Sequence, residues 1–158
     1  MKKILFTILF YFSFLSASPV LGEKIIIDDT QLRYKVATAE RISTPPTIDG
    51  ILDDSVWNQA TILDQLVQHE PFNLHAPSVE TEIRVLYDDN YLYIAFNNID
   101  PNPENISARV GRRDDWNAIE NNSDWVAIAI DSNNDDKTGN WFTLNAAEVQ
   151  LDAAMTEG

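Results

Sequence analysis

The stretch Val85-Leu86-Tyr87-Asp88-Asp89-Asn90-Tyr91-Leu92-Tyr93-Ile94-Ala95-Phe96 decides how this chain is read. Two apolar runs meet at Asp-Asp-Asn, residue types that tolerate the conformations of a tight reversal. That is a β-hairpin signal. Upstream, Val79, Thr81, Ile83, Val85 and Tyr87 alternate with Glu80, Glu82 and Arg84. A period of two marks a half-buried strand. Downstream, Tyr91 to Phe96 is apolar on both faces, as in a central strand of a sandwich.

Working outward, Thr44-Pro45-Pro46 is a stiff connector and Ile48-Asp49-Gly50 a turn. Asp53 or Asp54 is placed to cap a short helix reaching about Ala60 and carrying Trp57 inward. Thr61 to Gln68 is a weak strand, and His69 to Pro77 a loop. Asp100-Pro101-Asn102-Pro103 ends the hairpin. The polar run 106–122 reads as a long loop or a short helix. Trp125 to Ile130 is a strand apolar on both faces. Asp131 to Gly139 is a turn, and Trp141 to Leu151 a further strand, bent near Ala146-Ala147. Short strands separated by Gly, Pro, Asn and Asp predict an all-β fold, an antiparallel β-sandwich of the jelly-roll kind. Leu151 to Gly158 does not read as a natural terminus, so the chain reads as a fragment of a longer polypeptide.

The first residues read as a leader. Lys2 and Lys3 precede an apolar run from Ile4 to Leu15. Pro19 blocks cleavage after Ser16-Ala17-Ser18, so the better site follows Val20-Leu21-Gly22. The expected organisation is a signal peptide over 1–22, an N-terminal strand and linker over 23–38 with β-prone runs at Lys24–Ile27 and Arg33–Ala37, and the sandwich over 39–158. Export is the expected fate, to the periplasm, the outer membrane or the medium of a bacterial envelope. The 158 residues hold no cysteine, so no disulfide braces the domain. Formal net charge is −14, which argues against nucleic acid and anionic membrane surfaces as partners. Neutral sugars and divalent cations fit that charge; plain solubility accounts for it equally well.

Four segments in order resemble the family 9 carbohydrate-binding modules and their like. They are Ile48-Asp49-Gly50-x-Leu52-Asp53-x-x-Trp57-x-x-Ala60, the hairpin from Glu82 to Tyr93, Asp124 to Asp131 with Lys137-Thr138-Gly139, and Phe142-x-Leu144-Asn145 with Val149-Gln150-x-Asp152. The likeness runs from about Ala39 to Gly158. It implies a non-catalytic sandwich in which aromatic side chains clamp a sugar and calcium braces the loops. Val110-Gly111-Arg112-Arg113-Asp114-Asp115 and Asn145 to Asp152 resemble a subgroup at the start of large exported proteins, ahead of an outer-membrane barrel region. That subgroup implies outer-membrane association through a region downstream of Gly158. Hydrolysis of glycosyl bonds, where present, is expected in a linked domain.

Sugar recognition needs flat aromatic faces together with amides and carboxylates. Trp116, between Asp115 and Asn117 in a polar loop, is the candidate platform; a Trp packing its own loop is the rival reading. Arg113 and Asp114 are the candidate pocket-lining pair, set against a salt bridge to acidic surroundings. Trp57, Trp125, Trp141, Tyr91 and Tyr93 read as structural. Asp131, Asn133 and Asp135, with Asp136, offer alternating oxygens for calcium; an Asx-rich hairpin turn explains the same run. Asp100 and Asp124 are candidates for a separate metal site. No catalytic residue is assigned. Two rival functions are an interaction or plug-like module of an outer-membrane barrel without sugar affinity, and a haem-binding sandwich using His69, His75 or Met155.

Overall fold

The structure, a computed structural model, describes residues 37–156 except Asn121. The leader, the run Lys24–Ile27 and nearly all of Arg33–Ala37 lie outside the described residues. The described chain is all-β, with two sheets and a single turn of α-helix, as expected for the sandwich class. It divides into two compact units, each carrying one sheet.

The first unit covers 37–67 and 76–101. Its strands are β1 (Glu40–Arg41), β2 (Ile62–Leu63), β3 (Glu80–Tyr87) and β4 (Leu92–Ile99). β3 and β4 form the expected hairpin, in register from Glu80↔Ile99 to Tyr87↔Leu92. β2 pairs with β3 antiparallel, but β1 pairs with it parallel, so this sheet is mixed. The weak strand at 61–68 contracts to two residues. The alternation in β3 holds for Thr81, Ile83 and Val85, which are buried. Its opposite face is polar at Glu80, Glu82 and Arg84 and apolar at Leu86. Leu86 on that face closes into a core with Ile42, Trp57, Tyr93 and Ala95.

Trp57 reaches that core from a five-residue 3-10 helix, Ser55–Gln59. The expected acidic cap is absent there. Asp54 makes no side-chain cap, and its Oδ2 accepts the Thr47 amide at 2.8 Å instead. The Asp49-Gly50 turn forms as read: Gly50 sits at φ 83°, and Asp49 Oδ1 accepts the Ile51 amide.

The hairpin tip is held by one carboxylate. Asp88 Oδ1 accepts the amides of Asn90 and Tyr91, and Oδ2 accepts the Tyr93 hydroxyl at 2.7 Å. The Asn90 amide, then the Tyr93 hydroxyl, hold Asp88 below the usual carboxylate range. Burial, reinforced by Asp88, pushes the Tyr93 hydroxyl up from 10.0 to about 12. A folded-state pKa above the unfolded one gives stability that is intact below the unfolded value and lost as pH rises through the folded one. The window here runs from pH 10.0 to about 12. In an absorbance titration, one of the five tyrosines should ionise near pH 12 and vanish in Tyr93→Phe. A native curve with every tyrosine ionising near 10.0 would contradict this. Tyr91, beside the turn, is 67 % exposed, contrary to its structural reading.

The second unit covers 68–75 and 102–156. Its sheet is antiparallel in the order β5 (Trp125–Ile130), β6 (Thr138–Asn145), β7 (Gln150–Thr156). The strand expected from Trp141 to Leu151 is in fact two. The chain reverses at Ala146–Val149, with Glu148 at φ 64°. One face of this sheet carries Trp125, Ala127, Trp141, Thr143, Asn145 and Leu151, and packs on Ala118, Ile119 and Val149. Trp125 and Trp57 are 7 % and 4 % exposed, and Trp141 is half-buried with Nε1 donating to Thr143 Oγ1. These three indoles are structural, as read.

Candidate functional site

The segment between β4 and β5 is a long loop holding a 3-10 turn (Pro103–Asn105) and one turn of α-helix, α1 (Trp116–Ile119). Asp115 caps it, with Oδ1 accepting the Ala118 amide. Ala118 and Ile119 are fully buried, which stabilises the turn by about 1.5–3 kcal/mol for the isoleucine alone. With those two side chains inward, Trp116 remains 45 % exposed. It is the only tryptophan of the four in that position among the described residues.

What fixes this turn is a buried amide that the sequence reading passed over. Asn145, at the end of β6, is 3 % exposed. Its Nδ2 lies in donor reach of Arg109 O at 2.9 Å, Ser123 Oγ at 3.0 Å and Ala118 O at 3.2 Å. Its Oδ1 accepts the amides of Ala147 and Val149, building the β6–β7 reversal. Ser123 Oγ donates to Ala118 O and accepts the Arg109 amide. Three stretches of chain thus meet at two polar side chains. The one signal for this was parity, since Asn145 falls on the same face of its strand as Trp141.

The other side of the loop is stitched to the edge of β7. The Asp114 amide donates to Gln150 O at 2.8 Å, and Asp114 Oδ1 accepts the Asp152 amide at 3.3 Å. Asp114 sits at φ 63°, a left-handed conformation that an aspartate tolerates. Arg113 lies across the same strand. Its Nη1 donates to Gln150 Oε1 at 2.8 Å, its Nη2 to Asp152 Oδ1, and its Nε is 3.8 Å from Asp114 Oδ2. The structure therefore places Arg113, Asp114 and Trp116 on one short loop and adds Gln150 and Asp152 to them. Those two partners lie more than thirty residues on, which is why local motif reading missed them.

The loop after β5 is a different matter. Asp131 Oδ1 accepts the Asn133 amide and Oδ2 the Asp136 amide. Asp135 Oδ1 accepts the amides of Lys137 and Thr138, and Oδ2 the Thr138 hydroxyl. The amide of Thr138, then that of Lys137, hold the Asp135 carboxyl below its usual range. Asn133 Nδ2 is spent on Thr138 Oγ1. All four carboxylate oxygens of Asp131 and Asp135 accept from N–H or O–H groups of the loop itself, the bonding of an Asx-rich turn. Among the described residues no group of three His, Asp or Glu is arranged to hold a metal. Asp124 is likewise engaged, with Oδ2 accepting the Ser107 amide.

The exposed indole thus shares a short loop with Arg113 and Asp114, and Gln150 and Asp152 are bonded to that loop. The model of the family described as carbohydrate family 9 binding domain-like matches residues 48–156, and the chain belongs to that family. No curated protein and no solved structure matches.

Proposed function

We propose that this chain binds carbohydrate non-covalently, with Trp116 as the stacking platform and Arg113 and Asp114 engaging hydroxyls. The observation that carries the reading is the exposure of Trp116 on a turn otherwise anchored by Ala118 and Ile119. An aromatic face open to solvent is the kind of surface on which the C–H face of a sugar ring stacks. Family membership supports the same ligand class. In this proposal residues 1–22 direct export, 23–38 link, and 39–158 form a module of a larger envelope or secreted protein. Cleavage of glycans, where it occurs, is the work of a partner domain.

The test is calorimetric titration of the protein with xylo- and cello-oligosaccharides, alongside tryptophan emission. Native protein should release heat and shift its emission. Trp116→Ala should weaken binding about thirtyfold, the size of a buried aromatic anchor worth about 2 kcal/mol, with unchanged melting. Silence from every sugar in both readouts defeats the proposal.

A further inference from the structure

We infer that Gln150 and Asp152 set the charge selectivity of the Trp116 loop, admitting neutral saccharides and turning away those that carry carboxylates. The inference rests on the carbohydrate reading above. An unpaired arginine beside an aromatic platform would favour uronates, because a guanidinium presents two parallel N–H groups to a carboxylate. Two of the donors of Arg113 are already engaged here. Nη1 is held by Gln150 Oε1 and Nη2 by Asp152 Oδ1, while Nε faces Asp114 Oδ2.

The fork is thus turned onto β7. One guanidinium (+1) meets two carboxylates (−2), leaving the cluster at −1 before Asp115 is counted. A uronate would have to displace Asp152 and then sit beside its charge. A neutral hydroxyl needs single donors and acceptors only. The remaining N–H bonds of Arg113 and the free lone pairs of Gln150 and Asp152 supply them. All of these groups are reachable: the side chains of Arg113 and Asp152 are 59 % and 46 % exposed. Arg113 and Trp116 are three residues apart, at most about 11 Å of chain, so one sugar unit on the indole lies within reach of this cluster.

The experiment compares a cello-oligosaccharide with its C6-oxidised uronate counterpart on native protein, Asp152→Asn and Gln150→Glu, at low ionic strength. The linkage and ring are the same, so the affinity ratio reports charge. Asp152→Asn keeps the backbone amide that Asp114 accepts and an oxygen for Arg113. It should raise the ratio of uronate to neutral affinity about two- to fourfold, and the gain should shrink in added salt. Gln150→Glu should lower that ratio by a similar factor. The opposite signs separate a charge effect from damage to the fold. Neutral binding with one uronate ratio common to all three proteins overturns the inference and spares the carbohydrate reading. No binding of either ligand to native protein overturns both.

Discussion

Replacing Asn145 with alanine should lower stability by about 3–4 kcal/mol. Few side chains do as much with one amide. Nδ2 serves Arg109 O, Ala118 O and Ser123 Oγ, and Oδ1 serves the amides of Ala147 and Val149. Truncation leaves these five polar partners without the amide that pairs them, at a site that is 3 % exposed in the native chain. The cost of an unpaired buried polar group exceeds the net gain from pairing it, so the losses accumulate. Asn145→Asp keeps the acceptor for the turn. It also sets a carboxylate against two carbonyl oxygens, and should be at least as damaging. Thermal melts would show the alanine variant about 10 °C or more below native. A shift of only a degree or two would mean that the network is not what holds the loop.

The second large effect should come from Gly111→Ala. A methyl group there would lie 2.6 Å from Ala118 Cβ and 3.0 Å from Asp115 Oδ2. The first neighbour is fixed to the helical turn and cannot swing aside, since Ala118 is fully buried. Either the loop lifts or α1 moves, and overpacking of this kind costs about 1–3 kcal/mol. What distinguishes this variant is where the damage falls. The displaced turn is the one that carries Trp116, so saccharide affinity should drop by as much as in Trp116→Ala. Paired melting and titration decide it: native-like affinity in a folded Gly111→Ala protein would show that the indole needs no such support.

Legibility in the sequence tracked the range of the interactions. The β3–β4 hairpin was readable because its turn chemistry and its alternation lie within a dozen consecutive residues. The Asp131–Asp136 turn was readable for the same reason, its carboxylates accepting from amides two to five residues on. The reversal at Ala146–Val149 was not readable. It holds no glycine, proline or Asn-Gly pair, and is built by Asn145 folding its side chain over the next residues. Merged into one strand, β6 and β7 hid the edge to which Arg113 and Asp114 attach. Trp116 was identified from its polar neighbours, while the reason it stays outward, burial of Ala118 and Ile119, required tertiary contacts. The missing cap at Asp54 is a smaller case, in which a competing amide from Thr47 took the carboxylate.

The buried Asn145 bears on how likeness between such chains should be interpreted. The segments that carry the resemblance hold Trp57, Leu86, Tyr93, Trp125 and Asn145, all of them interior. Trp116 belongs to none of those segments. A chain that kept the asparagine and Ser123 but had a glycine at 116 would retain every one of those features with nothing for a sugar to rest on. Inheritance of the scaffold and inheritance of the ligand are therefore separate questions, and under the function proposed above the second turns on one solvent-facing residue.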